Sequence, residues 1–290
     1  MDQPASFNDR LDAYFEKISP AEQLAARFFQ DNREEVLVAS ASSLAKQAGT
    51  SDATVVRTAK ALGFTGLEEL RRTLAREIRE NMSPAVRMAR TIDEVGDNVE
   101  SALKLTLDIN RNSLDGLEKD ISPDLFKNAV CSVMEAQRVH IFGIGPSSAM
   151  ADYFSIELGR LGLDTLSLTQ TGLLLADQIQ KFKPGDLLII FAYGQIYQEL
   201  NVLLDQAKLN KMPKILISDT LGSRLHHRID FVLPVARGRV NMLSMHTATL
   251  ALIEALLVGV AIKRPKESLA SLESLNQIRT ALSAQVLSRC

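Results

Sequence analysis

The feature that most constrains the fold of this 290-residue chain is an alternation of short apolar runs with longer helical patterns, beginning near residue 122. The clearest run, Leu187–Phe191, is apolar at every position, which is typical of a strand covered on both faces. Further strands are predicted at 139–142, 165–168, 214–218 and 231–235. Strands that alternate with helices form βαβ units, so residues 122–265 predict a three-layer α/β domain with a parallel sheet.

Residues 1–80 predict helices and turns instead. Ser19 offers a capping hydroxyl and Pro20 suits the first helical position, so a helix is expected from there to about residue 30. Its inward face is predicted to carry Leu24, Phe28 and Phe29. Three further helices are predicted at 42–48, 52–62 and 67–79.

The segment between these two regions is interpreted as a linker. Ser83 and Pro84 lie within residues 81–95, and Gly96 follows directly. A connecting helix with Leu103 and Leu107 on its apolar face is expected next. The sequence therefore predicts a helical head at 1–80 and a linker with a connecting helix at 81–121. An α/β domain is predicted at 122–265, and a C-terminal helix at 266–290 is a candidate subunit contact.

Composition narrows the functional classes. The formal net charge is −2, so affinity for nucleic acid must come from a local patch. Cys131 and Cys290 are the two cysteines, and neither has a neighbour at metal-ligand spacing, so no metal site or cofactor is predicted. The first residues do not resemble a signal peptide and no apolar run is long enough for a membrane helix, so a cytoplasmic protein without a membrane partner is expected.

Residues 42–62 are typical of a helix-turn-helix motif. Two short helices are joined at Gly49, and the second opens with polar residues that would meet base edges in the major groove. Arg57 is predicted to read guanine or hold a phosphate, Thr54 to contact bases or phosphate, and Ser51 to donate to phosphate. The candidate DNA-binding residues are Ser51, Asp52, Ala53, Thr54, Arg57 and Lys60. The alternative is a helical bundle with a solvated basic face.

Local charge agrees with this placement. From residue 42 to residue 79, basic residues outnumber acidic ones by seven to four, whereas residues 1–41 hold eight acidic and four basic residues. The positive charge is therefore concentrated where DNA would dock.

A ligand site is predicted beyond the carboxyl ends of the strands. A glycine loop at 143–148 joins a strand to a helix, and residues 192–197 follow the next central strand. Backbone N–H groups and the helix dipole favour an anion at such a loop, although a purely structural turn is the alternative. The candidate ligand-binding residues are Gly143, Gly145, Ser147, Ser148, Tyr193, Gly194, Gln195 and Tyr197.

The head resembles the RpiR family of transcriptional regulators. The resemblance is carried by residues 44–57 (LAKQAGTSDATVVR) and 62–70 (LGFTGLEEL). It implies an N-terminal helix-turn-helix followed by a SIS (sugar isomerase) domain. It also places Ser51, Thr54 and Arg57 at the family's recurrent recognition-helix positions.

The body resembles the SIS domain over about residues 125–262. Residues 142–147 (FGIGPS) match its first loop, where the resemblance implies that a serine hydroxyl helps hold a sugar phosphate. The other matching segments are 151–154, 160–162, 217–219, 223–225 and 229–230.

The second loop departs from that family's pattern. The family commonly has Ser-x-Ser-Gly-x-Thr there, whereas this chain reads AYGQIY at 192–197. Ala192 and Gly194 replace the serines, and Gln195 and Tyr197 replace the glycine and the threonine. Each lost hydrogen bond to a charged group is worth about 1.5–3 kcal/mol. One hypothesis is a different sugar-derived metabolite that stacks on tyrosine; the other is a structural loop in a domain that serves dimerisation.

The favoured function is a transcriptional regulator that is not an enzyme and has no catalytic residue. Its expected partners are a double-stranded DNA operator and a small-molecule effector, in a homodimer or homotetramer that uses helices at 99–117 and 269–287. Two alternatives stay open: a sugar-phosphate isomerase with an appended head, and a structural dimeric DNA binder without ligand. Asp219 is interpreted as a loop cap and His246 as a structural residue.

Overall fold

The computed structural model describes residues 7–80 and 83–287. The chain divides into two compact units, Met1–Val86 and Arg87–Cys290, which we call the head unit and the body unit.

The head unit is a bundle of short helices. They are α1 (Phe7–Tyr14), α2 (Pro20–Asp31), α3 (Arg33–Val38), α4 (Ala41–Gln47), α5 (Asp52–Ala61) and α6 (Leu67–Glu80), with a 3-10 turn at Phe15–Lys17. Their core is built from fully buried side chains, including Phe7, Phe29, Leu44, Leu62 and Leu70. The four helices predicted from the sequence are confirmed within two residues, whereas α1 and α3 were not predicted.

Helix α2 begins where the sequence indicates but buries a different face. Ser19 and Glu22 form a capping box, in which the Ser19 backbone N–H and hydroxyl donate to the Glu22 carboxylate and lower its pKa. The buried residues of α2 are Ala25, Ala26 and Phe29. The prediction that Leu24 faces inward is wrong: its side chain is half exposed, because the buried stripe lies one residue further along the helix.

The segment predicted as a linker is mostly helical. Helix α7 (Pro84–Val95) occupies it, and α8 (Val99–Asp120) and α9 (Pro123–Glu135) follow. The Ser83 hydroxyl accepts a hydrogen bond from the Val86 backbone N–H, and Gly96 follows the last residue of α7 with φ +71°. The residues that suggested a linker are therefore the start and stop signals of a helix.

A five-stranded parallel sheet forms the centre of the body unit. Its strands are β1 (Val139–Gly143), β2 (Thr165–Leu168), β3 (Leu187–Phe191), β4 (Lys214–Ser218) and β5 (Phe231–Pro234), in the order β2-β1-β3-β4-β5. In the register, Ile141 of β1 lies opposite Ile189 of β3, which lies opposite Ile215 of β4. The predicted strands and their parallel arrangement are confirmed.

Helices cover both faces of this sheet. The remaining helices are α10 (Pro146–Arg160), α11 (Leu173–Ile179), α12 (Gln198–Leu209), α13 (Gly222–Leu225), α14 (Thr247–Lys263) and α15 (Pro265–Leu287). Helices α9, α10 and α14 pack on the face that carries Ile141, whereas α11 and α12 pack on the face that carries Phe142. Successive strand residues point to opposite faces, so the continuous apolar runs fill both layers.

A buried polar pair lies at the amino-terminal end of the strands. His140 of β1 is fully buried, and its Nε2 lies 2.9 Å from Asp186 Oδ2, just before β3. The Asp186 carboxylate also accepts the Lys183 backbone N–H. Burial lowers the pKa of His140 more than the neighbouring carboxylate raises it. Burial of His140 therefore disfavours its protonation in the folded body unit.

The described helices include none that combines the length and apolar character needed to cross a membrane. Over the same residues, no cluster of three or more His, Cys, Asp or Glu side chains has the arrangement of a metal site.

Candidate DNA-binding and effector sites

Helices α4 and α5 form the predicted helix-turn-helix. Gly49 has φ +65° in the turn between them, a conformation that glycine adopts without steric cost. The Ser51 hydroxyl caps α5 by accepting the Thr54 backbone N–H, 3.2 Å away. Ala45 and Val55 are buried on the inner sides of the two helices, so the opposite side of α5 faces outward.

The outward side of α5 carries most of the predicted DNA-binding residues. The exposed members are Ser51, Asp52, Ala53, Arg57 and Lys60. Exposure alone does not test DNA contact, so their roles stay predictions. Sequence analysis missed Val56, which is 37% exposed on the same helix and has an apolar surface suited to a thymine methyl group.

Thr54 differs from the other candidate DNA-binding residues, because it is only 5% exposed. Its predicted contact with bases or phosphate stays a prediction. Its hydroxyl lies 2.8 Å from the Ser51 hydroxyl and accepts a hydrogen bond of 3.2 Å from Arg57 Nη2. Thr54 is therefore placed to position Arg57 from behind.

Another basic residue of the head serves the bundle instead. Arg71 of α6 donates from Nε to the Val36 carbonyl oxygen at 2.9 Å and from Nη2 to the Ala39 carbonyl oxygen. These carbonyls lie at the C-terminal end of α3, where helix carbonyls lack intrahelical partners. The charge excess predicted for DNA binding therefore includes one arginine that stabilises α3.

The two predicted effector loops follow neighbouring strands. Residues 143–148 follow β1 and residues 192–197 follow β3, and we call these two loops together the effector site. Helix α10 after β1 and helix α12 after β3 lie on opposite faces of the sheet, so this is the switch point of the strand order. Ligands of open parallel sheets bind at such points, beyond the carboxyl ends of the strands.

The first loop is shaped by close backbone packing. A Cβ at Gly143 would lie 2.4 Å from the Ser147 carbonyl oxygen, so only glycine fits there. Ser147 is buried in the first turn of α10, whereas Gly145 is exposed. The Ser148 hydroxyl donates to the Gly145 carbonyl oxygen at 2.8 Å. These contacts give the loop a structural role as a tight turn. A ligand role for its serines stays a prediction.

The second loop is anchored by a buried tyrosine. Tyr193 is 8% exposed, and its hydroxyl lies 3.0 Å from Thr249 Oγ1 on α14. Burial raises the pKa of Tyr193 to about 12. Tyr193 therefore offers little exposed ring surface, and its predicted role in ligand binding stays a prediction. Gln195 and Tyr197 are exposed and remain candidates for ligand contact.

Arg237, which was not predicted, lies beside Tyr193 together with Asp219 and His246. The Arg237 guanidinium lies 4.1 Å from the Tyr193 ring centroid, and its Nε and Nη2 each donate to Asp219 Oδ2 at 3.1 Å. The His246 ring meets Tyr193 edge-on with centroids 6.0 Å apart, and burial lowers the pKa of His246. Asp219 is therefore an ion-pair partner and not simply a loop cap. The only sequence signal for Arg237 is its position just after a predicted strand.

The same edge of the sheet holds a second arginine. Arg224 of α13 donates from Nη1 to the Gly194 carbonyl oxygen at 3.3 Å. The second loop has lost the hydroxyls of the family pattern, and it is contacted instead by the side chains of Arg224 and Arg237. Both guanidinium groups bring positive charge to the carboxyl ends of the strands.

Comparison with protein families agrees with this division. Residues 7–81 match the model described as a helix-turn-helix domain of the rpiR family, and residues 132–259 match the SIS domain.

Two curated relatives are named as helix-turn-helix transcriptional regulators. One, from Clostridium perfringens, is 25% identical over 220 residues, which cover 75% of this chain and 77% of the relative. The other, YfhH of Escherichia coli, is 28% identical over 178 residues, which cover 58% of this chain and 59% of the relative. Both names describe the relatives themselves as uncharacterised.

Two solved structures share the fold. The sugar isomerase domain of an RpiR transcription factor from Sphaerobacter thermophilus aligns with a TM-score of 0.56 at 23% identity, covering 60% of this chain and 97% of that chain. The NanR protein of Vibrio vulnificus, complexed with ManNAc-6P, aligns with a TM-score of 0.54 at 20% identity, covering 96% of this chain and 99% of that chain.

Proposed function

We propose that the chain, which matches the rpiR-family helix-turn-helix model over residues 7–81 and the SIS domain over residues 132–259, binds operator DNA with an affinity set by a small sugar-derived metabolite. The observation that carries this proposal is the presence of both modules in one chain: a head with an outward-facing helix α5 and a body whose sheet has two loops at its switch point. A regulator needs both parts, whereas an isomerase would not use the head.

In the head unit, α5 is the recognition helix. Arg57 is the residue proposed to contact guanine or a phosphate, because it is exposed and a guanidinium can bond both acceptors of guanine. Thr54 restricts Arg57 through a hydrogen bond of 3.2 Å. Lys60 lies one turn further on and is proposed to contact the DNA backbone.

In the body unit, the metabolite is proposed to bind at the effector site. The NanR structure contains ManNAc-6P, which supports a sugar derivative as the class of ligand for this fold. The departures at Gly194, Gln195 and Tyr197 support a ligand whose recognition differs from the hydroxyl-based pattern of the family. Gly145 and Ser148 are proposed to contribute from the first loop, next to the N-terminus of α10.

Helix α7 is proposed to carry the response from the effector site toward the head. Three of its residues bond to the loop 235–246 between β5 and α14. Arg87 Nη1 donates to Ser244 Oγ at 3.1 Å, Thr91 Oγ1 accepts the Leu243 backbone N–H at 2.8 Å, and Glu94 accepts from Arg239 at 2.7 Å. Positions 87, 91 and 94 share one face of a helix.

The loop 235–246 also bears on the effector site, because Arg237 near its start lies over Tyr193. Helix α14 begins at Thr247, so residues 243–246 belong to this loop. Met245 N–H donates to the Arg237 carbonyl oxygen at 3.2 Å, which closes the loop on itself. A metabolite that changes the conformation of the loop 235–246 would therefore change its hydrogen bonds to α7. Helix α7 follows the last helix of the head along the chain.

The protein is proposed to act as a homodimer or homotetramer. Helices α8 and α15 contain the segments predicted as subunit contacts, and they expose large apolar side chains: Val99, Leu103, Leu107, Leu114, Leu269, Ile278 and Leu282. Exposed apolar surface of this kind marks an interaction site. A symmetric dimer presents two heads to a paired, roughly palindromic operator.

We propose no catalytic activity for the chain. The two curated relatives are named as transcriptional regulators, and catalysis would leave the helix-turn-helix without a role.

The test is specific binding to the DNA upstream of the protein's own gene, followed by fluorescence anisotropy at a stated salt concentration. Arg57→Ala is expected to weaken specific binding by about 1–3 kcal/mol. Arg71→Ala is unsuitable as a control, because it removes two hydrogen bonds to carbonyl oxygens at the end of α3; Arg27→Ala, at an exposed arginine on α2, is the matched control. Unchanged operator affinity in Arg57→Ala would refute the recognition-helix assignment.

Transmission has its own test. Thr91→Val keeps the shape of the side chain but removes the acceptor of the Leu243 N–H. The variant is expected to bind the operator normally without metabolite and to show a smaller change when metabolite is added. A response equal to that of the wild-type protein would show that α7 does not transmit through this contact.

A further inference from the structure

An ion pair between Arg237 and Asp219 lies beside the second effector loop. Arg237 lies in the loop after β5 and Asp219 directly follows β4, so both stand at the carboxyl ends of strands, beside the effector site. Their side chains are 14% and 21% exposed, which places the ion pair at the boundary between protein and solvent.

The geometry of Arg237 leaves part of its bonding capacity available. Two of its N–H groups converge on the same oxygen, Asp219 Oδ2, and the other oxygen of Asp219 accepts the Thr220 hydroxyl at 3.1 Å. The contact is therefore not the two-oxygen, fork-to-fork pair that a guanidinium makes with a carboxylate or phosphate in its strongest form. The flat face of Arg237 rests on Tyr193, which holds the guanidinium in place.

We propose that Arg237 is the anion-recognising residue of the effector site, and that Asp219 occupies its guanidinium until an anionic group of the metabolite replaces it. The anion is a phosphate or a carboxylate, since both offer the paired oxygens that fit the fork of an arginine. This inference rests on the proposed function, because it names the residue by which that same site selects its ligand.

The exchange conserves the charge balance around Arg237. An incoming anion supplies the negative charge that Asp219 gives up, so the guanidinium is never left buried without a counter-ion. Asp219 lies next to the exposed Thr220, and its carboxylate can return to water. Arg237 would also compensate for the hydroxyls that the second loop lacks, because the N–H groups of one charged guanidinium can bind an anion in place of several neutral donors.

The pair must be distinguished from an ion pair that only ties two loops together. The variants Asp219→Asn and Arg237→Met make opposite predictions for anion binding. If Asp219 competes with the ligand, Asp219→Asn raises the affinity for an anion by removing the competitor, whereas Arg237→Met lowers it. If the pair is only structural, both variants loosen the same contact and neither raises affinity.

The experiment is isothermal titration calorimetry on the full chain with inorganic phosphate, a panel of hexose 6-phosphates, the matching hexonic acids, and the neutral hexoses. The panel separates the two sources of the anion: a preference for 6-phosphates identifies phosphate, and a preference for hexonic acids identifies carboxylate. Arg138→Met is the matched control, because Arg138 also donates from Nε and Nη2 to one aspartate oxygen, Asp164 Oδ2, but lies just before β1, at the opposite end of the strands. It tests for a general effect of surface charge.

The expected result is that at least one anionic probe binds the wild-type protein, that Arg237→Met weakens it by about tenfold or more, and that Asp219→Asn strengthens it. Arg138→Met is expected to leave anion binding unchanged, and no binding of the neutral hexoses is expected. Anion binding that survives Arg237→Met, an Asp219→Asn variant without increased affinity, or a panel in which no anion binds would each overturn the inference.

A failure of this inference can be told from a failure of the proposed function. Operator binding by the wild-type protein and its loss in Arg57→Ala do not involve Arg237. If those results hold while Arg237→Met still binds the anion, the regulator stands and only the identity of the anion receptor is rejected.

Discussion

The hydrogen bond between Tyr193 and Thr249 anchors the second effector loop to α14, and its removal has a calculable effect. The two hydroxyl oxygens lie 3.0 Å apart, Tyr193 is almost fully buried and Thr249 is fully buried. Tyr193→Phe leaves the Thr249 hydroxyl buried without this partner, and Thr249→Val does the same to Tyr193. Each single change is expected to lower the free energy of unfolding by about 1–3 kcal/mol.

The double variant is the decisive member of the series. Replacing both partners by apolar groups of the same shape leaves no unpaired hydroxyl, so its cost is expected to be close to that of one single variant. The coupling energy of the cycle is then on the order of 1 kcal/mol. Costs that simply add would refute the claim that these two hydroxyls satisfy each other.

The assay is native-state hydrogen exchange of β3 peptides in increasing urea, read by mass spectrometry. It reports the opening of the body unit without requiring the two units to unfold together. Tyr197→Phe is the matched control, because Tyr197 is exposed on the same loop, and it is expected to change stability by less than about 0.5 kcal/mol.

Three further predictions concern other parts of the molecule. Gly143→Ala is expected to destabilise the body unit by about 1–3 kcal/mol in thermal unfolding, because its Cβ would lie 2.4 Å from a carbonyl oxygen. Gly116→Ala on α8 is the control and is expected to stabilise the unit by about 0.5–1 kcal/mol, so equal effects of the two variants would contradict the prediction. The pKa of His140 is lower in the folded than in the unfolded state, so the free energy of unfolding is expected to fall as the pH drops below about 6.5 and to level off below the folded-state pKa. If a His140→Gln variant shows the same dependence of stability on pH, His140 is not the cause of that dependence. Thr54→Val is expected to weaken operator binding by about 0.5–1.5 kcal/mol through loss of the bond to Arg57, and anisotropy titrations with no change would remove Thr54 from that role.

Strand positions were predictable because apolar runs bounded by loops leave few alternatives. The strands β2, β3 and β4 begin and end at the predicted residues. Helix α3 has six residues, too few for an apolar period to emerge, and so it was missed. Helix α7 was not predicted within the linker segment, because Ser83, Pro84 and Gly96 have the same residue types whether they flank a helix or interrupt one.

The two loops of the effector site were predictable for a topological reason. Residues 143–148 and 192–197 both follow strands, and parallel strands end at the same edge. The surroundings of Tyr193 were not predictable, because its contacts with Asp219, Arg237 and Thr249 come from three separate segments of the chain. Only the packed structure shows that the ring is enclosed, and that a hydroxyl buried at Thr54 serves Arg57.

If operator binding and metabolite binding are coupled in this chain, a single DNA titration will show it. Labelled DNA from upstream of the protein's own gene is titrated with the full chain at fixed salt, with and without each sugar phosphate, sugar acid and neutral sugar of the panel. We expect the protein to bind this DNA more tightly than an unrelated duplex, and at least one metabolite to change the operator affinity by about fivefold or more. Equal affinity for both duplexes, or an operator affinity that no metabolite alters, would contradict this expectation.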